Sequence, residues 1–564
     1  MLAKVIVDLA VWGLNRELTY AVPEKLEPQI SVGSVVRVPL RNRRVRGWVV
    51  GLEPQAQDDS DLAELVPLAA LSGRGPVFDD LLLGVAMKLA RRYVHPLSSF
   101  LTLFTPPRLG RPSGRWLART SFRSDDSSAF PAQAVSRTLL RPGPNDDPVK
   151  RYGDEIDERL GKGLGAIVVV PEVREGSSVL ARLAERFPAD AAVVHSGLEP
   201  SERAKALWSL AEGTRRVALG GRAALFAPPT PVGLIVVHEE HDPSLKEQRS
   251  PYYDARVVAQ LRAEATGSSL LFSSRTPSLS LPGSPASPEK WSVEEPLRAE
   301  ERRAWPVVEL VHPARRRIPQ RVIAAIVQAR ARGKRVIVLV PRVSLTPSGP
   351  GPAELEGLLG KIVPGSRISR ADRPGLGPQP GALEEALTGD VVIATEAALA
   401  EVERPQIGTA IALGVDSLLQ RPRGRAAEET VQALWALAVL AAGQNPKGRL
   451  IIETSNPDHH VIQAVVRGDH RYFASRELQA RQEAGVPPFK SLVRVQVNGR
   501  PSEELIERME HLPGAAVLGP SPGGSLGWQL LLKVNELEAM LDPLNDIVAS
   551  SSQRVLVEVD VRDW

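Results

Sequence analysis

From residue 149 to residue 453 the chain alternates amphipathic helical stretches with short apolar runs, and it does so twice over. In the first round, helical stretches at 151–160, 177–187, 200–212 and 254–265 interleave with apolar runs at Ala166–Val170, Ala191–Val194, Val217–Leu219, Leu234–Val237 and Ser269–Phe272. In the second, helices at 318–332, 353–359 and 427–442 interleave with runs at Val336–Val340, Asp390–Ala394, Ala410–Leu413 and Arg449–Glu453. Apolar runs of this kind predict strands buried on both faces, and helices between them predict parallel pairing. The pattern therefore predicts two tandem doubly wound α/β units. In such sheets chemistry sits beyond the carboxyl ends of the strands. The run Leu234–Val237 stops at His238-Glu-Glu-His241, so Glu239 and Glu240 stand where a nucleotide-hydrolysing site is expected.

Residues 3–52 read differently. Short bursts, Val5–Val7, Leu18–Val22, Ser34–Val38 and Gly47–Val50, are bounded by Gly or Pro and predict a small all-β module. Between its last strands lies Arg41-Asn-Arg-Arg-Val-Arg46, in which Arg41, Arg43, Arg44 and Arg46 share a hairpin-like connection suited to gripping phosphates. A helix is predicted from 79 to 104, with Leu82, Val85, Ala86, Leu89 and Tyr93 on one face and an end near His95-Pro96. Residues 106–148 are rich in Pro, Ser, Arg and Asp and read as a linker.

Composition narrows the function classes. With no cysteine among 564 residues, disulfides, thiolate metal sites and cysteine nucleophiles are all excluded, and a reducing, cytoplasmic location is expected. The late apolar run that includes Ala436–Ala442 is far short of the roughly 20 residues needed to cross a bilayer, so no membrane partner is expected. The net charge of +4 is unevenly placed. Residues 1–52 hold eight Lys/Arg against four Asp/Glu, 311–335 hold eight against none, and 501–564 hold four against eleven. Local basic faces point to contact with a polyanion through particular domains, while each alone also fits a solvated surface.

Several strings together resemble the bacterial replication restart protein PriA family. They are Leu18-Thr-Tyr-Ala-Val-Pro-Glu24, Gly33-Ser-Val-Val-Arg-Val-Pro39, Gly47-Trp-Val-Val-Gly51 and Leu89-Ala-Arg-Arg-Tyr-Val-His-Pro-Leu97 in the first hundred residues. Further on come Val194-His-Ser-Gly-Leu198, Gly221–Pro228, Glu239–Gln248, Tyr252-Tyr-Asp-Ala-Arg256, Asn456-Pro-Asp-His459, Gly485–Phe489, Val517–Pro522, Trp528–Lys533 and Val557–Asp560. The resemblance implies an N-terminal domain that captures the 3′ end of a nascent strand, two RecA-like lobes of a superfamily-2 helicase, and an α+β C-terminal domain. The boundaries that follow are 1–107 for the DNA-binding domain, 108–148 for a linker or winged-helix remnant, 149–298 and 299–480 for degenerate helicase lobes, and 481–564 for the C-terminal domain. Where the family has an aromatic residue and Asp before the tyrosine, this chain has Leu18 and Thr19, and Arg41 stands where the family tends to have glycine.

The ATPase chemistry that the resemblance implies is missing from the sequence. No Gly-x-x-x-x-Gly-Lys-Ser/Thr string occurs, and its expected place holds Pro144-Asn-Asp-Asp-Pro148. Gly161-Lys162, Gly333-Lys334 and Gly360-Lys361 lack the spacing. His238 replaces the family's Mg²⁺-binding Asp, Ser274-Arg-Thr276 replaces Ser-Ala-Thr, and Val431–Ala438 carries neither arginine of the arginine-finger motif. ATP, Mg²⁺ and zinc are thus cofactors of the family whose motifs this chain lacks, and no metal site or catalytic residue is expected. His238, Glu239, Glu240 and His241 remain as a landmark; two histidines three apart on a strand end do not make a zincin pair.

The expected activity is the binding of forked DNA as a scaffold for primosome assembly, without helicase action. Tyr20, Arg37, Arg41, Arg43, Arg44, Arg46, Arg315, Arg316, Arg317, Arg421, Arg423 and Arg425 are the candidate DNA contacts. Stalled forks and D-loops, single-strand-binding protein and helicase-loading proteins are the partners the resemblance implies. An ATP-dependent 3′-to-5′ helicase and a general nucleic-acid-binding protein are the two rival readings.

Overall fold

The computed structural model describes residues 1–54, 65–73, 75–110, 135–171, 178–228, 231–281, 291–314, 318–341, 351–371, 388–399, 407–443, 447–562 and 564. In the N-terminal module, strands β1 (Leu2–Val7), β2 (Leu18–Ala21), β3 (Val35–Leu40), β4 (Arg43–Glu53) and β5 (Ala70–Ser72) form a sheet in the order β2-β1-β4-β3-β5. The paired strands run antiparallel, so hairpin turns suffice to join them. Alternation along β3 and β4 sends Val35 and Trp48 to one core and Val36, Val38 and Val49 to another. The expected single helix over 79–104 is two, α1 (Asp80–Arg92) and α2 (Leu97–Leu103). Val94 takes a left-handed φ of 50° and Pro96 cannot donate to a helix ladder, so the apolar period continues while the axis does not.

The first lobe comprises β6 (Arg137–Leu140), α3 (Pro148–Gly161), β7 (Gly165–Val169), α4 (Ser178–Arg186), β8 (Ala191–Val194), α5 (Pro200–Ala211), β9 (Val217–Gly220), β10 (Val232–His238), α6 (Ala255–Thr266), β11 (Ser269–Ser273) and β12 (Ser292–Glu294). Its seven strands are all parallel, in the order β12-β6-β11-β10-β7-β9-β8. The centre is β10, in which Leu234 and Val236 enter the core on one face and Ile235 and Val237 the core on the other. Strand β6 corrects the reading of 108–148 as linker or remnant: residues 137–148 belong to the lobe, as a strand held by neighbours on both sides and the turn that follows it. Residues 111–134 lie outside the described residues.

The second lobe holds α7 (Arg298–Ala304), β13 (Val307–Val311), α8 (Gln320–Ala331), β14 (Arg335–Leu339), α9 (Pro352–Ile362), β15 (Ile368–Arg370), β16 (Val391–Ala394), α10 (Glu396–Leu399), β17 (Ile407–Ala412), α11 (Val415–Leu419), α12 (Ala426–Ala441), β18 (Arg449–Glu453), α13 (His460–Arg467) and α14 (His470–Ala484). Its sheet is parallel, ordered β13-β18-β17-β14-β16-β15. The C-terminal domain is an antiparallel sheet of order β20-β21-β19-β22, from β19 (Ser491–Asn498), β20 (Ala515–Pro522), β21 (Gly527–Val534) and β22 (Val555–Val559). Helices α15 (Glu503–Glu510) and α16 (Leu537–Ser550) complete its α+β fold. The boundary expected at 480 falls inside α14, which runs to a left-handed Gly485 cap. No helix of the described residues is long and apolar enough to cross a membrane.

Candidate nucleic-acid interface and inter-lobe cleft

Strands β3 and β4 are joined by Arg41 and Asn42 alone. Arg41 sits at φ 51°, a left-handed conformation that favours glycine and costs a side-chain-bearing residue about 1 kcal/mol. Pairing sets Arg37 opposite Arg46, Pro39 opposite Arg44 and Leu40 opposite Arg43, so Arg37, Arg44 and Arg46 share one face and Arg43 the other. Arg37, Arg41, Arg43 and Arg44 are exposed and make no ion pair among the described residues. Arg46 is different: Asp8 holds it at 2.5 Å, and its guanidinium lies over Trp48, 5.6 Å from the ring centroid. Tyr20, expected to touch DNA, is buried and donates its hydroxyl to the Pro39 carbonyl at 2.9 Å. It braces the base of the hairpin.

Of the other expected contacts, Arg315, Arg316 and Arg317 lie outside the described residues. Arg421 is paired with Glu396 at 2.5 Å, and the Arg423 amide donates to the Arg421 carbonyl. Arg425, also expected to touch DNA, is buried against Glu428 at 2.8 Å. Beyond Asn456-Pro-Asp a helix starts, where His459 caps Val461 and His460 stacks on Phe473 and meets Glu477 at 3.0 Å.

At the carboxyl end of β10 the landmark residues are all engaged. His238 Nδ1 and the Tyr152 hydroxyl are 2.9 Å apart, and burial pushes the pKa of this imidazole below its ordinary value. Glu239 turns the chain at φ 43° and faces His241 at 3.3 Å and Arg275 at 3.7 Å. Burial raises its pKa, but the neighbouring His238, His241 and Arg275 outweigh that and leave it lowered. Glu240 is thrown inward, fully buried, where it accepts from the Ser278 amide and hydroxyl at 2.7 and 2.9 Å and lies 3.5 Å from Arg256. Burial nonetheless raises its pKa.

The β6–α3 turn, where a triphosphate would have to be cradled, is closed on itself. Asp146 takes the Gly143 amide at 2.6 Å and Asp147 takes the Val149 amide at 3.1 Å, so donors that would meet phosphate are spent on carboxylates. Arg141 is buried in a two-pronged pair with Glu301 at 2.6 and 2.7 Å, and Asn145 occupies the space above Gly443 of the second lobe. These residues do not fit ATP and Mg²⁺. Among the described residues no group of three or more His, Cys, Asp or Glu side chains could hold a metal ion.

Between the lobes runs a buried ionic network that sequence reasoning missed. Glu428 on α12 accepts from Arg425, from Arg481 at 3.0 Å and from the Leu279 amide of the first lobe at 3.2 Å. Burial opposes its charge, yet Arg425 and Arg481 hold its pKa down to about 2. Within the first lobe, Arg256 makes a two-pronged pair with Asp254 and donates to Ser278 at 3.0 Å. The C-terminal domain joins in: Arg562 lies 3.7 Å from Asp254 and donates to the Asp242 carbonyl, Lys246 donates to the Val559 carbonyl, and the Trp564 ring covers Gly424. At the module's edge Arg91 grips Glu538 and Asp542, and Arg92 meets Asp560 at 2.8 Å. One local signal was available, since Glu428 follows Arg425 at helical i,i+3 spacing.

A family model described as the 3′DNA-binding domain of PriA matches residues 4–106, the module that carries the hairpin. The replication restart protein PriA of Chlamydia muridarum is 23% identical, with 97% of this chain and 97% of that protein aligned. The chain carries a segment that matches the PriA 3′DNA-binding domain and is similar to PriA proteins along nearly its whole length. PriA of Synechocystis sp. is 26% identical over 77% of this chain, and PriA of Bacillus subtilis 27% identical over 62%. The chain spans 63% and 51% of the length of those two relatives. Among solved structures, RecG bound to a three-way DNA junction aligns with a TM-score of 0.43 at 15% identity, over 66% of this chain and 47% of that one. The left-handed φ of Arg41 is one that glycine, the residue the resemblance leads one to expect there, adopts without strain.

Proposed function

We propose that this chain binds forked and branched DNA as a fixed scaffold for replication restart and does not hydrolyse ATP. The observation that carries the reading is the contrast between two sites. The β3–β4 hairpin offers four exposed arginines in the domain that matches a DNA-binding family, whereas the cleft where a nucleotide would bind is filled by Arg141–Glu301, Asn145 and the Glu428 network. Guanidinium groups on a rigid hairpin grip phosphates without reading sequence, which suits a protein that must act at any arrested fork. The lobes supply geometry: a buried network spanning both resists the opening and closing that a motor requires. Single-strand-binding protein and helicase-loading proteins are the protein partners this reading assigns, in the cytoplasm at the nucleoid.

Fork DNA and linear duplex of equal length, titrated at moderate salt, test the reading together with DNA-stimulated ATPase. Preferential fork binding without turnover is expected. Robust turnover abolished by Glu239→Gln would establish the helicase reading instead, and equal affinity for fork and duplex would leave a general nucleic-acid-binding protein.

A further inference from the structure

The hairpin offers cations but no exposed ring, because Trp48 beneath Arg46 is fully buried. A different combination occurs where α13 meets α14. Arg467, in the last turn of α13, lays its guanidinium over the ring of Tyr472, 4.4 Å from the centroid, and Arg476, one turn along α14, lies 5.8 Å from the same centroid. Both arginines are exposed and make no ion pair among the described residues; Arg467 donates only to Gln463 Oε1 at 3.3 Å. Tyr472 is partly exposed, with its inner side packed on the core of the second lobe.

The surroundings are basic and held in place. Arg298 and Arg471, 72% and 79% exposed, pair with Asp469 and Glu295, and Arg302 and Arg303 stand exposed on α7. That helix is anchored beside the turn by Trp305, whose indole N–H donates to the Val465 carbonyl at 2.8 Å and whose ring lies against Gly468. Two arginines therefore flank the ring itself, and four more stand on the adjoining α7 and α14, of which Arg298 and Arg471 pair with Asp469 and Glu295.

We propose that the Arg467–Tyr472–Arg476 stack is a second DNA-binding site, selective for single strands. Planar guanidinium and phenol groups offer faces on which an unpaired base can stack, and the flanking arginines hold the phosphates on either side of it. A duplex has no free base face to present, so the ring distinguishes this site from the hairpin. The inference rests on the DNA-binding reading above, and would let one chain hold a duplex arm and a single-stranded arm at once.

The experiment uses the full chain and fluorescent oligo(dT), duplex and fork probes. Tyr472→Ala, and separately Arg467→Gln with Arg476→Gln, are expected to weaken oligo(dT) binding about tenfold while duplex affinity stays within about twofold. Tyr472→Phe keeps the ring and is expected to bind as the parent does, and the exposed arginine pair tests the site without disturbing the core. The proposal is overturned if Tyr472→Ala binds oligo(dT) unchanged, if oligo(dT) and duplex affinities fall together, or if polyglutamate, an acidic peptide, displaces oligo(dT) from the parent but not from the arginine variant. Loss of fork preference in the parent chain would sink the restart reading on its own, independent of these variants.

Discussion

Glu428→Gln isolates the ionic joint between the lobes. The carboxylate is 1% exposed and is shared by Arg425, Arg481 and the Leu279 amide, which belongs to the other lobe. A carboxyl held at about 2 instead of 4.5 contributes about 3 kcal/mol to the folded interface. Breaking one partner of a buried ion pair independently suggests about 3–5 kcal/mol, so the two routes agree. Hydrogen exchange at the Leu279 amide reads the joint directly, and Glu428→Gln should lower its protection by about 100-fold. Because the folded pKa lies below the unfolded one, the stabilisation is complete above about pH 4.5 and is lost as the pH falls toward 2. The difference between parent and variant should shrink over that window. Protection unchanged at neutral pH, or a difference that does not narrow in acid, would refute the account.

Reversing two exposed hairpin charges, Arg43→Glu with Arg44→Glu, should weaken duplex binding uniformly across sequences and reduce the salt slope by about 2, as read from fluorescence anisotropy at several salt concentrations. Arg41→Gly relieves the left-handed backbone and should stabilise the module by up to about 1 kcal/mol while weakening DNA, seen as slower local exchange in β3 and β4 with a raised Kd. Gly424→Ala puts a Cβ 2.1 Å from the Trp564 ring, so the indole must move; expected are a red-shifted tryptophan emission and faster proteolysis after residue 559, at a cost of about 1–3 kcal/mol.

The long elements were legible because their apolar residues enter cores on both faces, as Leu234–Val237 do in β10. Strand β6 was not: Arg137-Thr-Leu-Leu140 is short, carries a charge and a hydroxyl, and becomes a strand only through β11 and β12 on either side. Edge strands β12 and β15 are shorter still and owe their form to the same kind of pairing. For the site, exposed arginines on a tight hairpin followed from composition and turn length. Which of them are free did not follow, because Asp8 claims Arg46 from 38 residues away and Arg481 encloses Glu428 from 53 residues away. The vacant motifs told what chemistry was missing, while what now fills the cleft was written in residues with no motif at all.

The Arg141–Glu301 pair bears on any attempt to restore a motor. Writing a glycine-lysine loop into 141–147 removes Arg141 and strands Glu301, 4% exposed, without its partner. The new loop would also have to clear Asn145 from Gly443 and release the amides that Asp146 and Asp147 now hold. Each of these changes is harmful until the others are made, so no single substitution opens the cleft. A nucleotide loop can be written into this cleft only as a coordinated redesign of both sides of it.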